Sequence, residues 1–166
     1  MGSQGPNAPQ VGVNEGSFGL GWQGLPSYLQ VDDATSAHLV TGLVYPTPTR
    51  LAKLTDFQFG DVPDTAESVT VVFRVKRRKV GQGEIQDSAA RLVLGGVTQT
   101  AENAIASNWP TTAAWAEYTF TGLTPVQVKD SGFGFALSVK NVSPGDEEYQ
   151  PPASPSIGCV EATAGW

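Results

Sequence analysis

The stretch Ser68 to Gly96, SVTVVFRVKRRKVGQGEIQDSAARLVLGG, constrains the fold more than any other part of the chain. Val69, Val71, Phe73 and Val75 fall on one parity and Thr70, Arg74 and Lys76 on the other, the period of two expected of a strand with one buried and one wet face. Gly81-Gln82-Gly83 offers glycines where the chain must reverse, and Ile85 to Leu94 returns as a second apolar strand, so the pair reads as a hairpin. Ile85 and the Ala90, Leu92, Leu94 set share a face only if one extra residue lies between them. The spacing therefore predicts a β-bulge near Asp87-Ser88.

The rest of the chain is read against that ribbon. Its 166 residues suit one domain that buries roughly 70% of the surface its unfolded form exposes. With 19 Gly and 12 Pro against one Met and one His, many short strands and structured loops are expected, and little helix. Residues 1 to 21 are rich in Gly and Pro and carry almost no periodic pattern, which predicts a flexible N-terminal arm. Its apolar residues Val11, Val13, Phe18 and Leu20, with Trp22 at the domain entrance, are candidates for assembly contacts.

From residue 22 to residue 166 a single β-sandwich domain is expected. Tyr28, Leu29 and Val31 read as an entry strand, followed by strands over Ala37 to Val44 and Leu51 to Phe59. Thr98 to Pro110 reads as a loop anchored by Trp109, and Trp115, Tyr118 and Phe120 lie in the next strand. Thr124 before Pro125 predicts a short helical turn with Thr as N-cap, and Gly132 can end it. Phe133, Phe135, Leu137 and Val139 alternate as a long strand, Ser143 to Pro155 forms an acidic, proline-rich loop, and Ile157 to Ala162 closes the domain. This gives an all-β fold, a two-sheet β-sandwich or jelly roll of about eight strands with an extended N-terminal arm.

Several chemistries are disfavoured by the residues present. The net charge of -6 opposes a phosphate-backbone binder, so no nucleic acid is expected as partner, and the basic run Arg74 to Lys79 reads as a solvated hairpin tip. No apolar run reaches the length of a membrane span, and the N-terminus lacks the plan of a signal peptide, so no membrane partner and synthesis in the cytoplasm are expected. Gly19 to Gly24 matches G-x-G-x-x-G, but a glycine-rich arm precedes it and Pro26 follows, which denies it the strand and helix that aim amides at a pyrophosphate. His38, the single histidine, falls inside an expected strand with no nucleophile turn nearby. Asp32-Asp33 and Asp146-Glu147-Glu148 lack calcium-loop spacing, and Cys159 reads as a small core residue. No cofactor, metal or catalytic residue is assigned, and the sequon at Asn141 is read as chance.

The order TDFQFGDVP (Thr55 to Pro63), VTVVFRVKRR (Val69 to Arg78), IQDSAARLVLGG (Ile85 to Gly96), NWP (Asn108 to Pro110) and LTPVQVKDSGFGFALSVKN (Leu123 to Asn141) resembles a β-domain widespread in virion proteins of tailed bacteriophages. Trp22 and the Asp32-Asp33-Ala34 stretch look like its opening motif. At its end the chain departs from that pattern, with Cys159 to Trp166 where a Tyr-rich close is usual. The resemblance implies a structural virion protein, foremost a capsid decoration (cement) protein on the outside of the head, with the major capsid protein and copies of itself as partners, a trimer being one arrangement. The alternative is a tail or fibre module that binds host surface glycans, for which Trp109, Trp115, Tyr118 and Tyr149 are the candidate contacts.

Overall fold

The strand that begins at Val69 runs for 13 residues to Gly81, its inward and outward alternation holding as far as Val80, and both layers are built around it. The computed structural model describes residues 1–30, 32, 37–38, 42–145 and 149–166, of which 37–38 only in their backbone. Among these the chain forms β1 (Ser3–Asn7), β2 (Val11–Glu15), a 3-10 turn (Ser27–Leu29), β3 (Ala37–His38), β4 (Leu51–Thr55), β5 (Val69–Gly81), β6 (Ile85–Leu94), β7 (Val97–Thr98), β8 (Ala114–Leu123), helix α1 (Pro125–Lys129), β9 (Gly134–Asn141) and β10 (Ala153–Gly165). The first sheet has the order β1-β10-β5-β8 with β3 also on β10, and the second β2-β4-β9-β6-β7. Their inner faces pack as an all-β sandwich.

The expected hairpin is absent. β5 pairs with β10 and β8, whereas β6 pairs with β9 and β7, so residues 82–84 carry the chain from one sheet to the other. Val69, Val71, Phe73 and Val75 therefore face Ile85, Ala90 and Leu92 across the core instead of beside them, and all seven are buried. The bulge lies where the spacing places it, with the register shifting between Asp87 and Ala89. It turns Asp87, Ala90 and Leu92 inward together.

Local signals account for most boundaries. Thr124 caps α1 in a capping box, its hydroxyl accepting from the Gln127 amide at 3.3 Å while the Gln127 side chain accepts from the Thr124 amide at 2.9 Å. The strand read as Leu51 to Phe59 stops at Thr55, because Asp56 and Gln58 take φ of 62° and 57°. Phe57 and Phe59 are still buried, carried inward by that kinked segment. The entry strand at Tyr28 and Leu29 is instead the 3-10 turn, and Val31 lies outside the described residues. Of the strand read over Ala37 to Val44, the backbone of 37–38 pairs with Ile157 and Ser156 and Leu43 with Ala153, while 39–41 lie outside the described residues. β10 already begins at Ala153, inside the expected loop.

The N-terminal segment is the larger difference. Read as a flexible arm, residues 1 to 21 instead supply an edge strand to each sheet: β1 lies on β10 and β2 on β4. Backbone pairing needs no apolar side chain, so a composition that argues for disorder does not exclude an edge strand.

Candidate functional site

β2 presents one face outward because of its register on β4. Val11, Val13 and Glu15 lie opposite Thr55, Lys53 and Leu51, while Ala52 and Leu54 between them point into the core. Val11 and Val13 remain 46% and 45% exposed. The turn that follows leaves Phe18 74% exposed and Leu20 half-covered, with Arg50 donating its amide to the Leu20 carbonyl at 2.9 Å. Glu15 ties this strand to the far edge of the same sheet: its carboxylate accepts from Lys53 Nζ at 2.9 Å and from the Thr98 hydroxyl, and Lys53 also reaches the Gly96 carbonyl at 3.0 Å. Burial works to raise the Glu15 carboxyl, but the bonds from Thr98 and Lys53 outweigh it and hold the group below its ordinary value.

Trp22, grouped with these residues from the sequence, does not belong to the surface. It is buried in the chain's own core, its indole N–H donating to the Arg50 carbonyl at 3.0 Å and its amide to Asn14 Oδ1 at 2.6 Å.

The four aromatics considered as glycan contacts part company. Trp109 and Tyr118 are buried around Asp87, which accepts from Trp109 Nε1 at 2.8 Å and from the Tyr118 hydroxyl at 2.8 Å. Burial and then the Asp87 charge push the Tyr118 hydroxyl far above the ordinary tyrosine range. Trp115 lies on the outer face of the first sheet, with the Arg74 guanidinium 4.6 Å and the Lys76 ammonium 5.8 Å from its ring centre. Tyr149 is exposed and donates to Gln82 Oε1 at 2.8 Å, at the crossover between the sheets. Trp115 pairs with Lys76, roughly 20 Å along β5 from that crossover.

The basic run is not a solvated tip. Arg77 and Lys79 continue the inward parity of β5 and are buried, Arg77 on Asp87 at 3.0 Å and Lys79 on the Gly83 carbonyl at 2.9 Å and on Glu84 at 3.0 Å. Asn141 is fully buried, its amide donating to the Leu43 and Pro151 carbonyls at 2.8 Å each, which removes it as a glycan acceptor in the folded chain. Cys159 is buried on the outer side of β10; burial first, then the charges of Glu161 and Asp32, push its thiol up to about 11. Asp32 itself pairs with Lys76 at 2.7 Å. Asp33 and residues 146–148 lie outside the described residues, as does the His38 side chain, and no group of three or more metal-ligating side chains occurs among the described ones. No described helix is long and apolar enough to cross a membrane.

No family model matches the chain, and no curated protein matches it in sequence. Among solved structures it is similar to BiXyn10A CBM1 in its apo form, at 8% identity over 95% of this chain and 99% of that one, with a TM-score of 0.44. It is likewise similar to the CBM22-1 xylan-binding domain of Paenibacillus barcinonensis Xyn10C, at 11% identity over 94% of this chain and 86% of that one, with a TM-score of 0.43. At this level the likeness assigns the chain no ligand.

Proposed function

We propose that the chain is a non-catalytic structural protein of a tailed-phage virion that docks on the head exterior, against the major capsid protein, through the apolar outer side of β2 and its following turn. The observation that carries this reading is the set Val11, Val13, Phe18 and Leu20, which stays in solvent although the interior of the sandwich is closed by other residues. An exposed apolar cluster framed by polar groups is the usual mark of a protein contact, and a side chain as large as Phe18 can supply hot-spot energy when a partner covers it. The phrase order from Thr55 to Asn141 supplies the virion context.

Immunogold labelling of intact particles tests the placement, and binding of the purified protein to isolated heads tests the surface. The Phe18→Asp, Val13→Asp double variant is expected to bind heads at least about tenfold more weakly while its melting temperature stays near that of the parent. Parent-like head binding by that variant would sink the docking reading.

Label confined to the tail tip would favour a second reading, a module for host surface glycans, because Trp115 and Tyr149 do reach the surface. In that case Trp115→Ala is expected to lose retention on host polysaccharide, and a glycan array without binding removes that reading.

A further inference from the structure

The hydrophobic core cluster starts at Trp22, and none of its members lies in the first 21 residues. What holds those residues is main-chain pairing and polar side chains, with Pro9 the one buried side chain among them. β2 is registered on β4 from Val11↔Thr55 to Glu15↔Leu51, and β1 on β10 from Ser3↔Gly165 to Asn7↔Ala162. Gln4 donates to the Gln58 carbonyl at 3.2 Å and accepts from the Asp61 amide at 3.0 Å, and Asn7 donates to the same carbonyl at 3.2 Å. Asn14 brackets Trp22, accepting from its amide and donating to its carbonyl at 2.9 Å. Each of these bonds is indifferent to which copy of the chain supplies the strand.

The join between this segment and the core is also built to open. Gly16 and Gly19 sit at φ of +96° and +95° on either side of Ser17 and exposed Phe18. Opening that turn releases fifteen residues with a reach of about 50 Å when extended. We propose that β1 and β2 are exchangeable edge strands, and that the β4 and β10 edges of a second copy of this chain accept them in place of its own. Exchange re-forms every backbone and side-chain bond named above and gives up only the closed turn, so its cost is confined to the hinge. The same strands then link neighbouring copies through two sheets at once. This holds whether or not the chain belongs to a virion.

The full-length chain tests it through the facing pair Val11 and Thr55. Val11→Cys and Thr55→Cys variants are purified separately, mixed at high concentration, incubated, oxidised and resolved without reductant. Exchange is expected to give a covalent Val11→Cys/Thr55→Cys heterodimer well above the yield from Val11→Cys mixed with Val126→Cys, an exposed position on α1 that reports random collision. Gly16→Val in both partners is expected to raise the dimer yield about tenfold, because a β-branched residue opposes the left-handed φ that only the closed turn needs. A side chain there meets nothing within 4 Å, so the substitution acts on the turn and not on packing. A heterodimer yield no higher than the collision control, in the parent background and with Gly16→Val, overturns the proposal.

Discussion

Asp87→Ala is expected to destabilise the fold by about 3–5 kcal/mol, the cost of leaving one member of a buried ion pair without its partner. The Asp87 side chain is fully covered and that of Arg77 is 7% exposed, so water does not substitute for the missing carboxylate. Four donors converge on Asp87: Arg77 Nη1 at 3.0 Å, Trp109 Nε1 at 2.8 Å, the Tyr118 hydroxyl at 2.8 Å and the Ile105 amide at 2.9 Å. Two of these come from the loop after β7, so the carboxylate also fastens that loop over the end of the sandwich. For a domain of this size the melting temperature should fall by on the order of 10 °C, and the Ile105 and Trp109 amides should exchange faster. Replacing both charges, Arg77→Met with Asp87→Leu, should recover part of the loss, since it removes the stranded guanidinium and leaves the neutral Trp109, Tyr118 and Ile105 donors as the groups without their acceptor. A loss below about 1 kcal/mol for Asp87→Ala would show that the guanidinium finds solvent or another acceptor, and the cluster would not be the lock described.

That cluster also marks the limit of what the residues alone disclose. Parity along β5, the bulge at Asp87-Ser88, the Thr124 cap and the alternation of β9 are local properties, and each can be read from spacing. Parity assigns a residue to a face, however, and says nothing about which strand lies alongside. Two long strands joined by Gly81-Gln82-Gly83 fit a hairpin and a crossover between sheets equally well, and the crossover is what forms. Charge misleads in a related way. Arg77 and Lys79 share the parity of Phe73 and Val75, but a positive side chain is expected to be wet unless its counter-charge is known. The partner of Arg77 lies ten positions away on the opposite sheet, visible only once the sheets are stacked. The candidate surface follows the same logic: Val11, Val13, Phe18 and Leu20 were legible as apolar residues in a polar setting, whereas the burial of Trp22 depends on Arg50 and Asn14 meeting it in space.

Phe73→Ala is expected to cost about 3–5 kcal/mol, as large as the loss of Asp87 but by a different route. Phe73 sits mid-strand on β5 with no exposure, and its ring lies 5.1 Å from Phe57, 5.2 Å from Phe135, 5.8 Å from Phe120 and 5.9 Å from Phe133. These rings come from both sheets and from the segments flanking them, so no single element can shift to fill the hole without pulling on the others. Phe73→Leu restores most of the volume and should cost less than half as much. Phe120→Ala, at the half-buried rim of the same cluster, should also cost less, because water can enter where its ring was. The damage should spread toward the N-terminal strands. Phe57 is held by the kinked segment that ends at Gln58, and the Gln58 carbonyl is the acceptor for both Gln4 and Asn7. In hydrogen exchange, the Asp61 amide bonded to Gln4 should therefore lose protection in Phe73→Ala and keep it in Phe120→Ala. Unchanged protection in both would mean that the core and the edge strands are energetically independent.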